Sequence, residues 1–121
     1  MPIEHWKEDP EKEDYPAALS YLTLLVGRES ARKLVKALRK VDGLSHFAGK
    51  DILRAAGLSL LAASDSEVSG DLQKVKLGEK LSPVLLVQGG GPLWIADGYH
   101  RVCASYHLDE KAPVPCRITS R

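Results

Sequence analysis

An α/β (α+β) fold preceded by a helical hairpin is what this sequence predicts, on three observations. PAALSYLTLLV at 16–26 is a largely apolar helical run, and over 31–41 Ala31, Leu34, Val35, Leu38 and Val41 recur at three- and four-residue spacing. PVLLV at 83–87 and PLWIA at 92–96 are short apolar runs separated by a glycine-rich turn. The chain has 121 residues, 44% of them hydrophobic, enough to bury one core without disulfide or metal staples.

Each element then follows in order. Residues 1–13 hold Pro2 and Pro10 among charges and read as an acidic, flexible or loosely docked arm. Residues 14–43 read as the helical hairpin: Pro16 suits a first helical turn, Gly27 stops the first helix, and Gly43 closes the second. Residues 44–121 form the remaining α/β part, the whole being one compact unit. In it LSHFAG is a short strand, KDILRAAG a helical turn closed by Gly57, and LSLLAAS an irregular link. SEVSGDLQKVK is a helix capped by Ser64 or Ser66, with Val68, Leu72 and Val75 on one side. PVLLV and PLWIA make a β-hairpin, a helix runs from Tyr99 to Leu108, and APVPCRIT returns as a strand whose Pro113 and Pro115 suit a sheet edge.

The formal charge of +1 supplies no global field toward nucleic acid or membrane. Locally the charge is dipolar: six acids face two lysines over 1–14, and six bases face Glu29 over 28–40. Two cysteines are too few for a disulfide framework, and MPIEHWKEDPEKEDYP lacks the apolar centre of a signal peptide, so a cytoplasmic protein without a membrane span is expected.

The chemistry concentrates in IADGYHR at 95–101, where a predicted strand runs into a predicted helix. The first amides of such a helix are unpaired and aimed at the turn, which suits an anion. Gly98 permits close backbone approach, Arg101 can fork onto phosphate oxygens, and His100 can donate or exchange a proton. The structural alternative is equally open on these residues alone: Asp97 as a helix cap, Gly98 as a turn, Arg101 as a solvated first-turn residue.

KLGEKLSPVLLV, PLWIADGYHRVCASYHL and APVPCRI, with LSHFAGKDILRAAG upstream, resemble the ParB/sulfiredoxin-like superfamily over roughly 46–118. The resemblance implies a small mixed sheet with helices and a D-G-x-H-R turn that holds nucleotide phosphates. It assigns Gly98, Tyr99, His100 and Arg101 to binding, with Lys74 as a further phosphate contact. ATP, ADP or CTP with Mg²⁺ is then the expected ligand, and a nucleotide hydrolase or small-molecule kinase the expected enzyme, with His100 and Asp97 as the catalytic pair. Asp51, Asp65 and Glu67 are the candidates for a second carboxylate. Sulfiredoxins carry their reactive cysteine where Tyr99 stands, so sulfinic acid repair is not expected. ParB proteins carry a helix-turn-helix after this domain, and none is expected with the sequence ending at Arg121.

Rival sites are weaker. His100 and His107 lie about 10 Å apart along a helix, leaving Cys103 and His107 as a two-ligand fragment, so no metal site is expected. Arg32, Lys36 and Arg39 on the basic helix could contact nucleic acid phosphates, with few aromatics available to stack bases. A non-catalytic adaptor with a protein partner, helped by Trp6 and Tyr15 near the arm, is the remaining class.

Overall fold

The computed structural model describes residues 5–121. Residues 1–4, part of the predicted arm, lie outside the described residues. The elements are α1 (Asp14–Val26), α2 (Arg28–Lys40), β1 (Ser45–Ala48), α3 (Gly49–Ala56), α4 (Ser66–Lys76), β2 (Val84–Gln88), β3 (Trp94–Asp97), α5 (Tyr99–Leu108) and β4 (Pro113–Ser120). The fold is α+β, with one four-stranded mixed sheet in the order β1-β4-β2-β3. β2 runs parallel to β4, and the other two pairings are antiparallel.

Both faces of the sheet are covered, which is why VLLV in β2 is continuously apolar instead of alternating. Leu85 and Val87 meet Ala18, Leu22, Ala31, Val35 and Leu38 of the helical hairpin. Val84 and Leu86 face the other way, into a cluster with Ile52, Val68, Val102 and Val114. The hairpin therefore forms one layer, and α3, α4 and α5 the other.

Four local expectations need correction. β4 is not an edge strand, because it lies between β1 and β2. Its prolines are tolerated because residues 113–115 pair only with β1, while pairing with β2 begins at Cys116. A missing N–H there breaks no second ladder. The cap of α4 is Asp65, whose carboxylate accepts from the amides of Glu67 and Val68, in place of either neighbouring serine. α2 ends at Lys40, before Gly43, and its last carbonyls at Leu38 and Arg39 accept hydrogen bonds from the Arg117 guanidinium.

The fourth correction concerns the arm. Its described residues 5–13 are docked: Trp6 is buried in the core beside Leu81, and main-chain bonds of 2.7 Å (Lys7 to Leu81) and 2.8 Å (Leu81 to His5) hold the segment like a short strand. Arg117 reaches Asp9 at 3.4 Å, so the residue that closes the basic helix also anchors the acidic segment.

Candidate functional site

β3 hands the chain to α5 through Gly98, whose φ of 110° lies in the region that favours glycine. A Cβ on that residue would lie 2.4 Å from Val84 Cγ1 and 2.8 Å from Val84 Cβ. The turn thus presses its backbone onto β2. The first bond of the helical ladder runs from the Val102 amide to the Gly98 carbonyl at 3.0 Å, so the amides of residues 99–101 stand ahead of it at the positive end of the helix.

In front of this turn is a cleft of about 390 Å³, lined by Glu67, Gly70, Asp71 and Lys74 of α4 and by Asp97, Gly98, His100 and Arg101. α4 contributes one stripe, since positions 67, 71 and 74 recur at helical spacing. His100 is half-exposed, and its Nδ1 lies 2.7 Å from Glu67 Oε2 across the cleft. That contact orients the ring and leaves Nε2 for a ligand.

Arg101 behaves differently from the expectation of a free phosphate clamp. Its side chain is 16% exposed; Nη2 donates to Asp97 Oδ2 at 3.1 Å and to the Pro83 carbonyl at 3.4 Å, while Nη1 lies 3.9 Å from Asp14 Oδ1. It ties together the starts of α1 and α5 and the ends of two loops. Arg101 therefore lines the cleft with its guanidinium already engaged, beside the basic side chains of Lys74 and His100.

Burial pushes the Asp97 carboxyl up to about 6, against the pull of Arg101 and with a push from the neighbouring Asp14 charge. Burial raises Asp71 as well, opposed by Arg101 and Lys74. A carboxyl that titrates higher in the folded protein than its ordinary 3.8 binds its proton more tightly when folded, so its stabilising effect is complete below that value and is lost as pH rises through about 6. Urea unfolding followed from pH ~4 to ~7 is expected to show stability falling along this limb, and Asp97→Asn to flatten it. An unchanged slope in that variant would place the proton elsewhere.

The remaining sequence-predicted residues disperse. Tyr99 points away from the cleft and donates its hydroxyl to the Ser59 carbonyl, so only its backbone belongs to the site. Asp65 caps α4, and Asp51 pairs with Arg54 at 3.3 Å on α3. Glu67 alone of the three extra carboxylates reaches the cleft. Sequence reasoning missed Asp71, although its position four residues after Glu67 and three before Lys74 carried the signal. It also missed Asp14, for which no local signal exists.

Cys103 is buried and burial raises its thiol; Cys116 is likewise buried and pushed up to about 12. His107 Nε2 lies 2.7 Å from the Leu61 carbonyl. Among the described residues, no three His, Cys, Asp or Glu side chains converge to hold a metal ion. Arg32 and Lys36 are exposed on α2, and Arg39 stacks 4.4 Å over the Tyr15 ring. No helix among the described residues is long and apolar enough to cross a membrane.

Comparison with family models, with curated proteins and with solved structures finds no match to this chain.

Proposed function

We propose that the cleft between α4 and the Gly98 turn binds a phosphate-bearing small molecule, a nucleotide such as ATP, ADP or CTP, in a domain of ParB/sulfiredoxin type. One observation carries this reading: the amide-rich start of α5, His100 and Lys74 border a single cavity of about 390 Å³, a volume suited to a small ligand. The α5 amides would receive phosphate oxygens, Lys74 would neutralise charge, and His100, steadied by Glu67, would hydrogen-bond or move a proton at Nε2. Arg101 acts behind them, holding the turn in shape.

The carboxylates of Asp71 and Asp97 fit Mg²⁺ delivered with the nucleotide, since this ion needs only one or two protein oxygens when phosphates supply others. Both carboxyls are raised by burial, so a nearby cation would relieve an existing electrostatic cost. Such an ion neutralises phosphate charge during hydrolysis or phosphoryl transfer, the two reactions for which His100 and Asp97 are the candidate catalytic residues. Binding without turnover would instead mark a sensing adaptor.

A thermal-shift screen of ATP, ADP and CTP, each with and without Mg²⁺, tests the reading. A ligand at about 100 times its Kd stabilises the native state by about 2.7 kcal/mol, a readily measured rise in Tm. The rise is expected to shrink in Lys74→Ala and His100→Ala, and ADP or phosphate release to vanish in His100→Ala if the protein turns over. A Tm unmoved by every nucleotide and by inorganic phosphate would remove the proposal.

The exposed row of Arg28, Arg32, Lys33, Lys36 and Lys40 on α2 favours a second reading, contact with nucleic acid phosphates. A salt-sensitive gel shift abolished by replacing Arg32, Lys36 and Arg39 together would support it.

A further inference from the structure

We propose that the outer face of α1 is a self-association surface on which two copies of this chain pack their α1 helices antiparallel about a two-fold axis. The inner face of α1 is spent on the sheet and on α2, where Ala18 and Leu22 are fully buried. The outer face is apolar too: Leu24 is 86% exposed, Leu25 44% and Tyr21 41%. Between Asp14 and Arg28 the helix and its stop carry no charged residue, and Ser20 and the Tyr21 hydroxyl are the only exposed polar side-chain groups on this face. Tyr21, Leu24 and Leu25 are neighbours at three- and four-residue spacing, so they form one contiguous apolar patch and not scattered single exposed residues.

The occupant follows from complementarity. Exposed Glu13 stands at the start of α1, and exposed Arg28 follows its end. In a two-fold antiparallel pair centred between Ser20 and Tyr21, Glu13 at the start of α1 in one copy comes level with Arg28, the first residue of α2 past the Gly27 break, in the other. Ala17, exposed and small, then lies opposite Leu24, the most protruding apolar side chain on the face. Every contact occurs twice, as a closed two-fold interface requires. The two helix dipoles oppose one another, which also favours this arrangement. The face thus offers an acid and a base at opposite ends and a small residue level with its most exposed leucine, a pattern that a second copy of the chain matches.

A single helix face on each side buries well under the ~1,600 Å² of a standard stable interface, so the dimer is transient and dependent on concentration. Sedimentation velocity of the full chain from about 5 to about 500 µM is expected to show a monomer–dimer equilibrium in the range typical of such small interfaces. Leu24→Asp is expected to weaken it at least ~10-fold, a loss of about 1.4 kcal/mol, with the native far-UV spectrum retained and only the small fall in Tm expected of an acid in the last turn of a helix, because that side chain touches little in the monomer. Glu13→Arg and Arg28→Glu are each expected to weaken it, and the double exchange to restore it. A monomer at all concentrations, a dimer indifferent to Leu24→Asp, or a double exchange that fails to restore pairing would each overturn the proposal.

Discussion

Replacing Gly98 by alanine is expected to lower the stability of the folded protein by about 2–6 kcal/mol, from two terms that act together. The backbone at φ 110° is one that an L-residue adopts at a cost of about 1–3 kcal/mol. The new methyl would also enter the space of Val84, at 2.4 Å from one side-chain carbon and 2.8 Å from another, and would lie 2.9 Å from Arg101 Nη2. Val84, the first residue of β2, is fully buried and cannot retreat, and forced overpacking of this kind costs about 1–3 kcal/mol. Against a total of about 5–15 kcal/mol for a domain of this size, a large share of the folded state's margin disappears. Urea unfolding reads the loss directly. The companion Gly98→Ala/Val84→Ala removes the 2.4 Å contact with Cγ1 but keeps the 2.8 Å contact with Cβ and the backbone strain, so after correction for the Val84→Ala cavity it is expected to recover only part of the loss. A Gly98→Ala protein as stable as the parent would mean that the turn has another accessible shape, and the account of the cleft built on it would fail.

Loss of the Arg101 guanidinium is expected to be about as severe. Arg101→Leu keeps the bulk of the side chain but leaves Asp14 and Asp97, both largely buried, facing one another without their common cation. Removing one partner of a buried ion pair costs about 3–5 kcal/mol, because the surviving charge remains desolvated and uncompensated. Here the cost depends on pH. Asp97 already titrates near 6, and without the arginine its pKa must move further up. The variant is therefore expected to lose most stability at pH ~7.5 and less at pH ~5, where Asp97 holds its proton. Adding Asp97→Asn should recover part of the loss at the higher pH. Equal losses at both pH values would show that Arg101 acts through packing and its bond to the Pro83 carbonyl instead of through charge.

These two expectations redistribute the roles within D-G-x-H-R. Gly98 and Arg101 build and brace the turn, whereas His100, Lys74 and the α5 amides face what enters the cleft. A variant of His100 or Lys74 should therefore change ligand response with little effect on stability, while Gly98 and Arg101 variants should do the reverse. That contrast also guards the ligand screen, since a lost Tm rise in a protein that folds normally cannot be blamed on collapse of the site.

Where chain-local physics was sufficient, the sequence sufficed. The helix from Tyr99 to Leu108, the glycine-turned pair of strands before it, and the strand-to-helix turn at Gly98 all follow from residues within a few positions of one another. The stripe of Glu67, Asp71 and Lys74 was equally local, and reading its helical period fully would have found Asp71. Only the tertiary structure decided that β4 sits inside the sheet, that Trp6 is docked, and that Asp14 shares the Arg101 charge with Asp97. The physical reason is separation along the chain: Asp14 and Arg101 lie more than eighty residues apart, and no periodicity or turn signal encodes such a meeting. It is set by which sheet face the helical hairpin covers, and the Asp14 carboxylate that the hairpin brings then engages an arginine that reads from sequence as a free phosphate clamp.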